Sequence, residues 1–382
     1  MALKIAKRAA VPPFIVMDVL RAANEQAASG KAVFHLELGQ PGTSAPKAIR
    51  DAAKRALDED VLGYTDAFGL PILRQNIADH YSAQYGVKVD SARVVVTTGS
   101  SGAFVLAFLG AFEPGDRVAL ASPGYPCYRN ILTALGVEPV LLLTGPETNF
   151  QPSPEALDRV EGKLDGLIVA SPSNPTGTII HSDKFKELIA YCDRKEIRLI
   201  SDEIYHGITF GEKAETALAF TENSIVVNSF SKYFSMTGWR LGWMILPEDM
   251  LRAAECLAQN LFISPPTLSQ YAAAAAFDCR DELDANVAAY AKSRALLLEE
   301  LPKAGFDKLA PAEGAFYLYA DVTELTNDSE AYCRRLLAET GVATTPGVDF
   351  DPDRGSRYMR FSFAGPYEHM EEAVKRIKAW RA

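Results

Sequence analysis

The feature that most constrains the fold of this chain is an alternation of short apolar segments with amphipathic ones, which begins near residue 93. Almost continuously apolar runs occur at 93–97, 117–121, 138–143, 165–170, 197–202 and 224–228. Runs of this kind, separated by helical segments, are typical of a mostly parallel β-sheet with helices on both faces. Ligands of such sheets bind in the crevice at the carboxyl ends of the strands. The sequence therefore predicts an α/β fold with its functional site at that edge of the sheet.

The two ends of the chain predict a second, smaller domain. Before the alternating block we predict helices at 14–29, 46–60 and 70–85 and a short strand at 33–38. After it we predict helices at 250–260, 267–278, 281–301, 329–340 and 367–381, and strands at 316–320 and 358–363. A chain of 382 residues is long enough for two domains. We expect a large domain over 45–280 and a small α+β domain formed by 12–44 and 281–382.

Composition excludes several classes of partner. The net charge of −10 argues against nucleic acid, which requires a basic surface. No apolar run approaches the ~20 residues that span a bilayer, and no continuous apolar stretch precedes Pro12 as a signal peptide would require. The five cysteines are scattered and form no C-x-x-C pair, which predicts reduced thiols and neither a disulfide framework nor a zinc site. We expect a cytoplasmic protein without a metal, a nucleic-acid partner or a membrane partner.

Two of the predicted strands end in residues that suit a phosphorylated, planar ligand. Ser100 and Ser101 follow strand 93–97 inside a Gly-Ser-Ser-Gly sequence that begins a helix. Free N–H groups and the helix dipole favour a phosphate at such a position, although Gly-Ser is also ordinary turn chemistry. Tyr125 follows strand 117–121, where it is either an aromatic plate for a planar ring or a packed tyrosine in a Pro-Gly turn.

The last three of these strands end in an amide, a carboxylate and a lysine at regular spacing. Asn174 follows strand 165–170, Asp202 ends strand 197–202 with Tyr205 after it, and Lys232 follows strand 224–228, with Arg240 eight positions further. The intervals from Asn174 to Asp202 and from Asp202 to Lys232 are 28 and 30 residues. Each is close to the ~30 residues of one βαβ unit, which returns the chain to the same sheet edge. We therefore expect these side chains to meet in one crevice.

In these motifs the chain resembles the pyridoxal-phosphate-dependent aminotransferases of fold type I, class I/II, the aspartate aminotransferase superfamily. The resemblance rests on Ser171-Pro-Ser-Asn-Pro-Thr-Gly177, Asp202-Glu-Ile-Tyr205, Ser229-Phe-Ser-Lys232, Gly238-Trp-Arg240-Leu-Gly242 and Arg360-Phe-Ser-Phe-Ala364. It extends from about residue 12 to the end. It implies a mostly parallel seven-stranded sheet in the large domain, pyridoxal 5'-phosphate as cofactor, amino acid and 2-oxo acid substrates, and a homodimer with shared active sites.

The resemblance also implies a role for each matched residue. Lys232 corresponds to the Schiff-base lysine that later carries a proton, and Asp202 to the carboxylate that keeps the pyridine nitrogen protonated, so that the ring is an electron sink. Arg360, helped by the backbone of Gly39, corresponds to the arginine that binds the substrate α-carboxylate. The other positions correspond to hydrogen bonding of the phenolic oxygen (Asn174, Tyr205), the phosphate cradle (Ser100, Ser101, Ser229, Ser231, Arg240), ring stacking (Tyr125) and the partner subunit's phosphate (Tyr64).

The likeness leaves the substrate open. Some bacterial aspartate enzymes of the family carry hydroxyl residues where this chain has Phe14 and Ile15, and a lysine where it has Ser101. This difference favours a neutral or aromatic amino donor in a ping-pong transamination. Aspartate transamination and a C–S β-lyase remain alternatives, since the same residues would serve each. A pyridoxal-phosphate-binding regulatory sensor is a more remote one, because such regulators carry an added helix-turn-helix segment.

Overall fold

The computed structural model describes residues 3–381, and it contains the α/β architecture that the alternating pattern predicts. The helices are α1 Ile15–Ala28, α2 Lys47–Glu59, α3 Pro71–Tyr85, α4 Gly99–Ala111, α5 Pro126–Leu135, α6 Pro154–Asp158, α7 Ser182–Lys195, α8 Leu251–Leu261, α9 Thr267–Ala274, α10 Arg280–Glu300, α11 Ser329–Thr340 and α12 Tyr367–Arg381. The strands are β1 Phe34–His35, β2 Val94–Thr97, β3 Arg117–Ser122, β4 Glu138–Leu143, β5 Gly166–Ala170, β6 Arg198–Asp202, β7 Ile225–Ser229, β8 Gly242–Ile245, β9 Lys308–Leu309, β10 Tyr317–Asp321, β11 Val342–Ala343, β12 Thr345–Pro346 and β13 Tyr358–Ser362.

The large sheet has seven strands in the order β2-β8-β7-β6-β5-β3-β4, which confirms the expected mostly parallel sheet. Strands β7, β6, β5, β3 and β4 are mutually parallel, whereas β8 is antiparallel to both β2 and β7. The pattern did not reveal β8, because it is only four residues long and directly follows the Gly238–Arg240 turn. Strand β1 is shorter than the predicted 33–38, with two residues paired to β11.

Both faces of this sheet are buried, as near-continuous apolar strands require. Val94 and Val96 of β2 lie in one apolar core with α2, α3, α7 and α9, whereas Val95 lies in another with α4, α5 and α8. Successive residues of a strand point to opposite faces, so each apolar run serves two cores.

A third apolar core belongs to the four-stranded antiparallel sheet β12-β13-β10-β9 and to α10, α11 and α12. The division into a large domain at 45–280 and a small one at 12–44 and 281–382 stays a prediction, since Tyr205 and Ile208 belong to this third core and Leu283 to the core of α2, α3, α7 and α9. Over the described residues 3–381, no helix is both long enough and apolar enough to cross a membrane.

Candidate active site

The carboxyl ends of β5, β6 and β7 open into a cavity of about 480 Å³, closed by α1 on one side and by the small sheet on another. Parallel neighbours place these three ends at one edge, as the spacing argument required. The cavity collects every residue that we predicted for the site except Ser229 and Tyr64. It is lined by Gly39, Ser100, Ser101, Tyr125, Asn174, Asp202, Tyr205, Ser231, Lys232, Arg240 and Arg360.

Lys232 carries the candidate nucleophile of the site. Its Nζ donates a hydrogen bond of 2.6 Å to the carbonyl oxygen of Gly39. Burial lowers the pKa of Lys232 to about 8, and the nearby charges of Arg360 and Arg240 add to this effect. A lysine so placed reaches its neutral, nucleophilic form much closer to physiological pH than an exposed lysine does.

Asp202, the last residue of β6, is a buried carboxylate held by two donors. The hydroxyl of Tyr128 donates to Oδ2, and the backbone N–H of Ile204 donates to Oδ1 at 3.1 Å. Burial raises the pKa of Asp202 to about 6, although both hydrogen bonds and the charge of Lys232 act in the opposite direction. Our sequence reasoning missed Tyr128. A signal was present, because Tyr128 is three residues after Tyr125 and so lies on the same side of α5.

A pair of tyrosines connects the end of β6 in the large sheet to β10 of the small sheet at the cavity. The hydroxyls of Tyr205 and Tyr317 are 2.7 Å apart and share a hydrogen bond. A Cβ atom on Gly39 would lie 2.0 Å from the Tyr317 hydroxyl, so only glycine fits at that position. Tyr317 was also missed, and here the sequence offers no local signal, because its position depends on how β10 of the small sheet docks.

The side chain of Arg360 is buried, but its N–H groups are only partly hydrogen bonded. Its Nη1 donates to Oδ1 of Asn174 at 2.8 Å, and its Nη2 donates to the carbonyl of Glu37. The guanidinium lies between the rings of Tyr317 and Phe350, with its Cζ 4.3 and 4.7 Å from the ring centroids. Its Nε, buried at a residue only 2% exposed, has no partner among residues 3–381. A buried cation with an unused donor is suited to an anionic ligand such as a carboxylate.

The start of α4 also lines the cavity and forms a cradle suited to an anion, named here the anion cradle. Ser100 and Ser101 are in its first turn, where N–H groups lack helical partners. A Cβ on Gly99 would come within 2.6 Å of Nη2 of Arg240, so glycine allows the guanidinium to approach the helix start. Arg240 itself is exposed, and its Nη1 donates to the Thr237 carbonyl at 3.1 Å.

Two predicted cofactor residues lie outside this cavity. The hydroxyl of Ser229 is buried behind Ser231, with which it shares a hydrogen bond of 2.8 Å, and it also donates to the Leu241 carbonyl. Ser231 is the one that faces the cavity. Tyr64 is 83% exposed in a separate hollow, so within this chain it does not approach the site. Which of the two serines faces the cavity depends on how the chain turns after β7, and a short polar motif does not specify that turn.

The family model that matches this chain is described as aminotransferase class I and II, and it covers residues 31–377. The chain belongs to this aminotransferase family. It is 51% identical over 381 residues to a valine–pyruvate aminotransferase of Mycobacterium tuberculosis, an alignment that covers 99% of this chain and 98% of that protein. It is 33% identical to an aspartate aminotransferase of Sulfurisphaera tokodaii, with 95% and 93% covered. The crystal structure of an aminotransferase from M. tuberculosis superposes with a TM-score of 0.97 at 50% identity, covering 99% of each chain.

Class I and II aminotransferases use pyridoxal phosphate, and the residues around the cavity fit that group. An anion cradle, a buried carboxylate and a lysine of lowered pKa each offer what one part of the cofactor needs: its phosphate, its ring nitrogen and its aldehyde. Arg360 also lines the cavity, and a buried guanidinium suits a further anion such as the carboxylate of an amino acid. This donor set therefore suits an enzyme that transfers an amino group from an amino acid to a 2-oxo acid.

Proposed function

We propose that this aminotransferase takes a neutral, apolar L-amino acid as donor and a small 2-oxo acid as acceptor. The observation that carries the proposal is the composition of the cavity wall formed by the start of the chain. Phe14 and the α1 residues Val16, Met17 and Leu20 line it, and all four are apolar. A donor with a side-chain carboxylate would have to desolvate that charge against hydrocarbon, which is costly without a partner.

The cations that line the cavity do not offer that partner. Lys232 and Arg360 are needed for the amine chemistry and the α-carboxylate, and Arg240 lies at the anion cradle. The similarity to a valine–pyruvate aminotransferase also supports a branched aliphatic donor, with pyruvate as the acceptor.

We propose that pyridoxal phosphate is held by the residues that the sequence motifs indicate. Ser100, Ser101, Ser231 and Arg240 bind the phosphate, with Ser229 supporting Ser231 from behind. Asp202 pairs with the ring nitrogen, Asn174 and Tyr205 hydrogen-bond the phenolic oxygen, Tyr125 packs on the ring, and Lys232 provides the covalent attachment. When bound, the cofactor supplies an electron sink that makes the Cα–H bond of the amino acid acidic.

The chain's own groups then bind the substrate and move its proton. Arg360 binds the α-carboxylate through its planar fork, and its orientation is fixed by Asn174 and by the two flanking rings. Lys232 Nζ, with a pKa lowered to about 8, has a substantial neutral fraction near physiological pH and takes the proton from substrate Cα. The apolar α1 wall excludes water from the side-chain end of the cavity.

The decisive experiment supplies the pyridoxal-phosphate-loaded enzyme with valine, alanine, phenylalanine or aspartate and with pyruvate or 2-oxoglutarate, and measures the products by mass spectrometry. We expect a higher kcat/KM for valine than for aspartate. A preference for aspartate would replace the proposal with the dicarboxylate alternative. Pyruvate, ammonia and sulfide formed from cysteine without an added oxo acid would indicate a C–S lyase, and bound cofactor without turnover would indicate a sensor.

A pair of variants tests the wall itself. Met17→Arg places a cation on the cavity side of α1, and it should raise kcat/KM for aspartate relative to valine. Asn24→Arg is the matched control, because Asn24 is exposed on the same helix and does not line the cavity. An equal response of both variants would show that charge on α1 acts at a distance rather than at the wall.

We also propose that the enzyme is a cytoplasmic homodimer in which Tyr64 reaches the partner's cofactor phosphate. Exposed apolar side chains lie near Tyr64 and Thr267 along the chain: Leu57 and Val61 precede Tyr64 by seven and three residues, Ile263 precedes Thr267 by four, and they are 58%, 98% and 52% exposed. The hydroxyl of Thr267 donates to the Gly63 carbonyl at 2.7 Å, which joins the Tyr64 loop to the start of α9. Such a concentration of exposed apolar groups is typical of an interface.

A further inference from the structure

The N-cap residue of α1, the helix that forms the apolar wall of the site, does not cap the helix with its side chain. Phe14 occupies the N-cap position of α1 and its side chain accepts no hydrogen bond from the helix. Instead Asp349, more than 300 residues away, accepts from the N–H groups of Ile15 and Val16, one at each carboxylate oxygen and both at 3.2 Å. Asp349 is 1% exposed, so this contact is shielded from water.

The loop that carries Asp349 also contacts the other substrate-facing parts of the site. The next residue, Phe350, places its ring 4.7 Å from Cζ of Arg360. The carbonyls of Asp349 and Phe350 accept hydrogen bonds from Arg129 Nη2 at 2.7 Å and from Gly124 N at 3.0 Å. Tyr125 directly follows Gly124 and precedes Arg129 by four residues. Its ring lies edge-on to that of Phe14, with the centroids 5.9 Å apart.

We propose that Asp349 is a positioning residue for substrate specificity: it fixes the start of α1, and thereby the apolar wall, relative to Arg360. The reason is geometric. The side chain of an amino acid held at Arg360 is recognised by α1, and the loop of Asp349 and Phe350 connects directly to both. A bidentate carboxylate at a helix N-terminus satisfies two free N–H groups and interacts favourably with the helix dipole. This inference rests on the proposed function, since it concerns the same amino acid.

The consequence of removing the carboxylate follows from the usual contribution of an N-cap. Loss of a cap costs about 1 kcal/mol, which corresponds to about a fivefold change in an equilibrium constant. If α1 leaves its docked position in that proportion, the apparent affinity for substrate falls by up to the same factor. We expect Asp349→Ala to raise KM for valine by up to about fivefold, to raise KM for alanine less because its methyl group makes fewer contacts, and to leave kcat within about twofold.

Hydrogen exchange provides a readout that is independent of turnover. In the enzyme carrying Asp349→Ala, the peptide covering residues 12–28 should exchange its amide hydrogens faster than in the parent protein. Asp349→Asn preserves the volume of the side chain, but it places an amide N–H group against a backbone N–H group of α1. This variant should therefore also exchange residues 12–28 faster, even if the alanine variant folds poorly. Asp90→Ala is the matched control: Asp90 caps the short helix Ser91–Arg93 by accepting from Ala92 N at 2.8 Å, and it does not line the cavity.

The outcomes separate this inference from the proposed function. Faster exchange of 12–28 and a raised KM in both Asp349 variants, with neither in Asp90→Ala, would support it. Unchanged exchange of 12–28 in both Asp349 variants, or a fall in kcat at constant KM, would overturn it. A parent enzyme that does not use neutral amino acids would refute the proposed donor, whereas the exchange experiment would still report whether Asp349 anchors α1.

Discussion

Replacing Asp202 by asparagine should stabilise the cofactor-free protein while it damages the enzyme. Burial raises the pKa of Asp202 from 3.8 to about 6, so keeping the buried carboxylate ionised costs free energy. Each pKa unit corresponds to about 1.4 kcal/mol, which gives a cost of about 3 kcal/mol at any pH well above 6. An asparagine carries no charge to desolvate, and its amide can still accept from Ile204 N and donate to the Tyr128 hydroxyl.

The pH dependence follows from the direction of this pKa change. The folded protein binds the proton of Asp202 more tightly than the unfolded chain does, so its stability falls as the pH rises from about 4 to about 6. We therefore expect Asp202→Asn to be equal in stability to the parent near pH 4. Above pH 6 the variant should be more stable by up to about 3 kcal/mol.

Urea denaturation of both proteins, freed of cofactor and followed from pH 4 to pH 8, measures this difference. Added pyridoxal phosphate should reverse the order, because the parent gains an ion pair on binding and the variant does not. Activity of the loaded variant should fall by orders of magnitude while cofactor still binds. Asp165→Asn is a control that should lower stability instead, because Lys163 lowers the pKa of Asp165 and the ionised carboxylate therefore favours folding. A cofactor-free Asp202→Asn protein that is less stable than the parent at pH 8 would refute the reasoning.

Three further predictions concern the other parts of the site. Lys232→Ala should abolish turnover, and borohydride reduction of the loaded parent followed by peptide mapping should label Lys232; a label on another lysine would disprove its role. Arg360→Ala should reduce kcat/KM for amino acids by about 100-fold or more, as expected for two lost charged hydrogen bonds, and should spare simple amines; an equal loss for both substrates would assign Arg360 another role. Mixing an inactive Tyr64→Ala protein with inactive Lys232→Ala should restore part of the activity through dimers with one intact site; no recovery, with dimers demonstrated, would argue against shared sites.

Much of the fold and most of the candidate site could be predicted because both depend on local patterns. The apolar runs identified six of the seven strands of the large sheet, and β8 was missed because four residues after a tight turn have no periodicity to detect. Asn174, Asp202 and Lys232 met as expected, since neighbouring parallel strands bring their ends to one edge whatever connects them. The comparison with a βαβ unit was wrong for the second interval, because the chain between β6 and β7 has a short 3₁₀ helix at Ala217–Ala219 in place of an α-helix, yet β7 still lies beside β6.

The sequence by itself determined which chemical groups stand at the strand ends, because strand period, turn residues and spacing act over short distances along the chain. Only the tertiary structure decided which partners those groups received. Tyr128 is 74 residues from Asp202, Tyr317 is 112 residues from Tyr205, and Asp349 is 333 residues from Val16. Such contacts depend on how helices and domains pack, which leaves no periodic signal in the chain. Burial follows from the same packing, and it is burial that raises the pKa of Asp202 and lowers that of Lys232.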